Sequence, residues 1–270
     1  MKSRYEIAKN VFVDSVDIDD YIDLNSSVTA FQQLRHSMDK PLKMILLFGK
    51  PGTGKSILLN RIREKLKHQK EIHYFDTPAI NEKEFFHKLF KVLTKKDLPS
   101  NTEVNFSALN DFCKNLRGKR EIIILLDEAQ MYGPEMMEKI RLLSDSRAVK
   151  FVGSLHKTED ADLIAKEHFQ SRIWEVIELK NATKEDQTAY IHKKLLKKNL
   201  FEIANSIKEK NMKRIHKYTK GNYRECNKLL FTIFEICEYY DKNEPSKVSY
   251  EKISDKIIEM SALKLGYINV

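Results

Sequence analysis

Eight residues, Gly49-Lys50-Pro51-Gly52-Thr53-Gly54-Lys55-Ser56, constrain this chain more than any other feature. They fit G-x-x-x-x-G-K-[ST] and stand between the apolar run Met44–Phe48 and an amphipathic stretch from Ser56 to Lys67. In that stretch Leu58, Ile62 and Leu66 recur at helical spacing. A buried strand, a glycine loop and a helix, in that order, is the context a phosphate-binding loop needs. The glycines let backbone N–H groups curl around phosphate oxygens, and the helix start adds the positive end of its dipole. Lys55 is the candidate for the β- and γ-phosphates of a nucleoside triphosphate, and the Ser56 hydroxyl is a candidate Mg²⁺ ligand.

A second segment complements the first. Ile122–Leu126 is a five-residue apolar run followed directly by Asp127-Glu128, 71 residues beyond Ser56. A carboxylate at that point sits at the carboxyl end of a buried strand, so Asp127 is a candidate for the Mg²⁺ shell. Glu128, one residue on, can polarise a water for in-line attack on a γ-phosphate. That adjacent carboxylate favours hydrolysis over phosphoryl transfer to a small acceptor.

Hydrophobic periods place these segments in a larger plan. Strands are expected at Met44–Phe48, Ile72–Phe75, Ile122–Leu126, Val149–Gly153 and Trp174–Leu179, each separated from the next by helical stretches. Such alternation predicts an α/β fold whose parallel sheet is covered on both faces. Beyond Asn181 strand signals cease, and residues 184–199, 206–219, 222–241 and 249–263 read as four helices. The expected organisation is an α/β domain over 1–181 and an all-helical domain over 182–270.

Charge and composition narrow the partners. The chain of 270 residues carries a net charge of +9, and residues 184–228 alone hold 13 basic against 5 acidic residues. A basic face there suits DNA, RNA or an anionic membrane surface, and a solvated helix face explains it equally well. Apolar runs of five residues are far too short to span a bilayer, and the acidic N-terminal stretch (Asp14, Asp17, Asp19, Asp20) is no signal peptide. Three cysteines, Cys113, Cys226 and Cys237, form no CxxC. They predict reduced thiols in a cytoplasmic protein.

Three further residues lie where a nucleotide site needs polar groups. Ser154, in Gly153-Ser154 at the end of the fourth strand, can help position an attacking water or can cap the next turn. Arg172, just before the fifth strand, can reach a neighbouring subunit's γ-phosphate as a finger, or pair with Glu167 or Glu175. Arg224, in Gly221-Asn222-Tyr223-Arg224, can touch the nucleotide from the helical domain or serve as a solvated charge. Thr183-Lys184-Glu185-Asp186 mimics a guanine-reading motif, but reads better as a helix start capped by Thr183.

Taken in order, the glycine loop at 49–56, LLDEAQ at 125–130, Gly153-Ser154, Arg172 and GNYRECNKLL at 221–230 resemble an AAA+ P-loop ATPase. Within that group the chain is most similar to ExeA/GspA-type secretion ATPases and TniB- and MuB-like transposition helpers. Asp127-Glu128-Ala129-Gln130, Tyr190-Ile191-His192 and Gly221-x-x-Arg224-x-x-Asn227 carry that narrower likeness, which covers about residues 25–235. The resemblance implies a three-layer sandwich with a five-stranded parallel sheet in the order 5-1-4-3-2 and a C-terminal helical lid. It implies ATP and Mg²⁺ held by Gly49 through Ser56, Asp127 and Glu128. Ser154 would be sensor 1, Arg172 the finger and Arg224 sensor 2. It also implies a nucleotide-dependent homo-oligomer. The chain departs from the family after strand four, where Gly153-Ser154-Leu155-His156-Lys157 replaces Gly-Gln-Pro-Glu-Leu.

Two functional classes follow. In the first, a cytoplasmic ATPase, or one held peripherally at the inner membrane by a membrane-protein partner, energises assembly of a type II secretion, pilus or DNA-uptake apparatus. In the second, a DNA-binding ATPase assists transposition or replication. The closer resemblance favours the first, and the basic 184–228 stretch favours the second.

Overall fold

The computed structural model describes residues 3–15, 17–99, 102–156 and 175–269. The chain forms two compact units, one of residues 29–50 and 55–179, the other of residues 1–28, 51–54 and 180–270. Arg172, Trp174 and the helical stretch expected between the fourth and fifth strands lie outside the described residues.

The first unit is built on five parallel strands: β1 (Met44–Gly49), β2 (Glu71–Phe75), β3 (Ile122–Leu126), β4 (Val149–His156) and β5 (Glu175–Leu179). Their spatial order is β2-β3-β4-β1-β5, the expected 5-1-4-3-2 read from the other edge. Period-2 alternation sends the strand residues to two cores. Met44, Leu46, Ile122, Ile124 and Leu126 join a cluster with Phe85, Phe86, Leu89 and Ile140. Ile45, Leu47, Ile123, Leu125 and Val152 join another with Leu34, Leu58, Leu59 and Ile62. All five residues of β3 are buried, as a parallel strand covered on both faces requires. Burying each such side chain contributes about 1.5–3 kcal/mol.

Helices α3 (Lys55–Leu66), α4 (Glu82–Thr94), α5 (Phe106–Leu116) and α6 (Pro134–Ser144) supply the covering layers, with α2 (Asn25–Asp39) before them. Their starts follow local chemistry. The side chains of Asn81 and Asn105 accept the N–H groups of Glu84 and Ala108 at 2.9 and 3.1 Å, and Pro134 opens α6. The fourth strand runs three residues beyond the expected Gly153. The cause is β1, which pairs Phe48 with Leu155 and Gly49 with His156 after β3 has ended.

The second unit is helical. Helix α1 (Arg4–Val11) packs with α7 (Lys184–Leu196), α8 (Phe201–Ser206), α9 (Glu209–Thr219), α10 (Tyr223–Asn243) and α11 (Asp255–Lys264). Tyr5, Phe12, Ile191, Ile203, Leu230, Phe234 and Ile258 share one core. Thr183 caps α7, accepting the Asp186 N–H at 3.1 Å. The stretch expected as one helix over 206–219 is broken, because Asn211 turns its side-chain oxygen back to the Lys208 N–H at 2.9 Å and starts α9. The last helix begins at Asp255 rather than 249, where Ser254 accepts the Lys256 N–H at 3.3 Å.

Cys113, Cys226 and Cys237 are all buried. Burial pushes the Cys113 thiol up to about 11 and those of Cys226 and Cys237 up to about 12. Among the described residues no helix is long and apolar enough to cross a membrane.

Gly221 marks a close backbone approach in the helical unit. Its φ is +75°, and a Cβ there would lie 2.0 Å from the carbonyl oxygen of Ala182. The Ala182 N–H donates to Gly221 O at 2.9 Å, locking the two segments together. Gly221→Ala is therefore expected to cost about 2–4 kcal/mol of unfolding free energy. Denaturant melts check this, and a loss below about 0.5 kcal/mol, the usual surface range, contradicts it.

Candidate functional site

Parallel sheets offer their carboxyl edge to ligands, and the pairing of β1, β3 and β4 decides which residues gather there. Leu126 pairs with Gly153, so Asp127, one residue beyond β3, falls beside Ser154. Asp127 is buried, with 4% exposure. Its Oδ1 accepts the Ser154 hydroxyl and the Glu128 N–H, the latter at 3.0 Å. Its Oδ2 accepts the Tyr74 hydroxyl from β2 at 2.8 Å. Burial and the adjoining Asp127 carboxylate raise the Tyr74 phenol well above its ordinary range, so Tyr74 stays a donor.

Ser154 lies inside β4 and caps no turn. Its Oγ also accepts the Glu128 N–H at 3.1 Å. Glu128 has φ +50°, an uncommon backbone conformation for a side chain of this kind. Its carboxylate meets His156 Nε2 at 3.0 Å and the Gln130 side-chain amide. The structure thus brings Asp127, Glu128 and Ser154 into one hydrogen-bonded group. Tyr74 completes it without any sequence signal, since nothing in the pattern of β2 says which face its tyrosine takes.

Lys55 opens α3 and is 5% exposed. Its ammonium donates to the carbonyls of Gly49 and Lys50 at 2.9 and 3.1 Å. The amine is therefore folded back on the backbone that follows β1. Ser56 follows it in the first turn of α3.

Within the helical unit, the loop residues Pro51–Gly54 meet the start of α10. Gly52 and Gly54 have φ of +78° and +92°. Asn222 donates its amide to Pro51 O at 2.7 Å, and the Tyr223 N–H donates to Gly52 O at 3.2 Å. A Cβ at Gly52 would strike Asn222 Oδ1 at 2.4 Å and Arg224 Cβ at 2.7 Å. Arg224 thereby lies against the loop tip, its Nε donating to Asp14 at 3.0 Å. Asn222 was silent in the sequence; it stands next to a signalled glycine yet resembles any helix cap. Tyr190 and Asn227 meet in a buried hydrogen bond of 2.9 Å, a structural use for two residues of the lid signature.

Much of the basic stretch 184–228 is engaged within its own unit. Lys193 donates to Asp23 O at 2.6 Å and Lys197 to Asp19 O. Lys210 and Arg214 pair with Asp255, and Arg214 also with Glu259. Lys194 is buried against Phe12 and Tyr190, and burial lowers its amine below the ordinary lysine range. Lys198, Lys217 and Lys220 have no carboxylate partner among the described residues.

The donor set fits a nucleoside triphosphate with Mg²⁺. The residue types are those such a ligand needs: positive-φ glycines at Gly52 and Gly54, the buried Lys55 ammonium, the Ser56 hydroxyl and the buried Asp127 carboxylate.

Comparison with known proteins agrees with this geometry. Residues 38–156 match the family described as AAA domain. The chain is 26% identical over 121 residues to General secretion pathway protein A of Aeromonas hydrophila, covering 43% of this chain and 22% of that protein. Two solved structures share the fold. The ORC2 protein of Aeropyrum pernix in its ADPNP-ADP complexes has a TM-score of 0.59 at 14% identity, over 97% of this chain and 72% of that one. The ORC1 protein of the same organism, in complex with DNA, has a TM-score of 0.55 at 15% identity, over 95% and 69%. Residues 38–156 thus match the AAA domain family, in a chain that shares its fold with the ORC proteins and is similar in part to General secretion pathway protein A.

Proposed function

We propose that the chain binds and hydrolyses ATP in an Mg²⁺-dependent reaction, and that turnover energises or regulates assembly of a type II secretion, pilus or DNA-uptake apparatus. One observation carries the hydrolytic part: Asp127 and Glu128 emerge together from β3, tied to Ser154 of β4. Lys55 binds the β- and γ-phosphates, and the loop N–H groups from Gly49 to Ser56 wrap the same oxygens. Ser56 and Asp127 would hold Mg²⁺, which would supply charge neutralisation on the transferred phosphoryl group. Glu128 accepts the proton of the attacking water. Ser154 and Tyr74 orient Asp127, and Arg224 stands by the loop tip to answer the nucleotide. Arg172 is proposed as a finger acting in trans within a homo-oligomer, on the resemblance alone.

The likeness to General secretion pathway protein A supports the secretion reading. A second reading, a DNA-binding helper in transposition or replication, rests on Lys198, Lys217 and Lys220 and on the fold shared with the DNA-bound ORC1 protein. Phosphate release by the purified chain separates the two. We expect Mg²⁺-dependent turnover that rises with membrane vesicles from cells bearing a secretion apparatus. No turnover above a Glu128→Gln control sinks the hydrolytic reading. Stimulation by duplex DNA at about 50 mM salt, where phosphate contacts are strongest, with none by vesicles, favours the second reading.

A further inference from the structure

The carboxylate of Glu128 is held from two sides. Its Oε1 lies 3.0 Å from His156 Nε2, and its Oε2 accepts the side-chain amide of Gln130. That amide is itself oriented, because its oxygen accepts the His156 backbone N–H at 3.3 Å. The three residues therefore close a ring between the end of β4 and the turn after β3. The backbone of Glu128 is pinned as well, its N–H shared by Asp127 and Ser154. A carboxylate has about four acceptor positions. Two donors leave the others open, so this arrangement aims the group without filling it.

The register of β4 adds the decisive link. His156 pairs with Gly49, the residue that opens the phosphate loop. The group that grips Glu128 is thus indexed, strand to strand, to the last residue of β1. We propose that His156, assisted by Gln130, is a positioning residue that holds the Glu128 carboxylate in a fixed place relative to Gly49 at the end of β1. The proposal rests on the reading of Glu128 as the water-activating base. His156 acts through Glu128.

Two experiments test it. In the nucleotide-free protein, ¹⁵N-histidine NMR identifies the His156 ring by its loss in His156→Gln. Glu128→Ala is expected to move that ring's nitrogen signals, and unchanged signals overturn the proposal, whatever the activity shows. In steady-state kinetics, His156→Leu is expected to lower kcat about 10- to 100-fold, the scale of a slightly misplaced reacting group, with KM for ATP within about twofold. His156→Gln, close in size and still an N–H donor, should recover most of the rate. Adding His156→Leu to Glu128→Gln should cost no further rate, because both act at one point. Wild-type turnover in His156→Leu beside a silent Glu128→Gln rejects the positioning role alone. A Glu128→Gln variant as active as the wild type rejects the base itself. Equal loss in His156→Gln and His156→Leu, with unchanged histidine signals in Glu128→Ala, reduces His156 to a packing residue and also overturns the proposal.

Discussion

Replacing Glu128 by glutamine is expected to lower kcat for ATP hydrolysis about 10²–10⁴-fold while ATP still binds. That range is what a positioned general base contributes. Glutamine keeps the length and one acceptor oxygen but cannot take a proton from water, so the loss falls on the chemical step. The surroundings make the substitution mild for the fold. Glu128 is partly exposed, with 34% of its side chain accessible, and its positive φ belongs equally to glutamine. Calorimetric ATP affinity within about threefold of wild type, beside a collapsed rate, is the expected pair of results. A loss of affinity with the rate preserved assigns Glu128 to binding instead.

The second large effect belongs to Lys55. Lys55→Ala is expected to weaken ATP binding about tenfold to a few hundredfold, since each hydrogen bond to a charged partner contributes about 1.5–3 kcal/mol. The same change also strips donors from the carbonyls of Gly49 and Lys50, which the ammonium holds at 2.9 and 3.1 Å. Thermal melting without nucleotide measures that structural part, and calorimetry with ATP measures the whole. Affinity unchanged in Lys55→Ala contradicts the phosphate-binding assignment. Lys55→Arg, which keeps charge but not length, should fall between the two.

How much of this was legible depends on which interaction each feature uses. The sheet was readable because Met44–Phe48 and Ile122–Leu126 are buried on both faces, which leaves a continuous apolar run. The phosphate loop was readable because positive-φ turns select glycine. Pairwise contacts across strands were not. The Tyr74–Asp127 bond and the His156–Glu128 pair depend on register, and register is set by turns and by packing on the two faces. Strand four looked shorter than it is because its last residues are held by β1 alone. Helix α1 left little trace, since only Tyr5, Ala8 and Val11 among its eight residues are buried. The break between α8 and α9 turned on one side chain, Asn211, reaching back to its own backbone.

That N-terminal helix carries a consequence for how the chain is made. Tyr5 and Phe12 stack on Phe234 at ring-centroid distances of 6.3 and 5.8 Å, and the Tyr5 hydroxyl donates to Ser249 O at 2.9 Å. Tyr5 and Phe12 thus leave the ribosome more than two hundred positions ahead of these partners. At about 5–20 residues per second, that is roughly ten to forty-five seconds of waiting. During that interval Tyr5, Ala8, Val11 and Phe12 form an unburied apolar stripe, a natural handle for a chaperone. The sheet-bearing unit, meanwhile, has all of its strands once residue 179 has emerged. Translation speed through residues 180–264 is therefore a kinetic lever on the yield of folded protein.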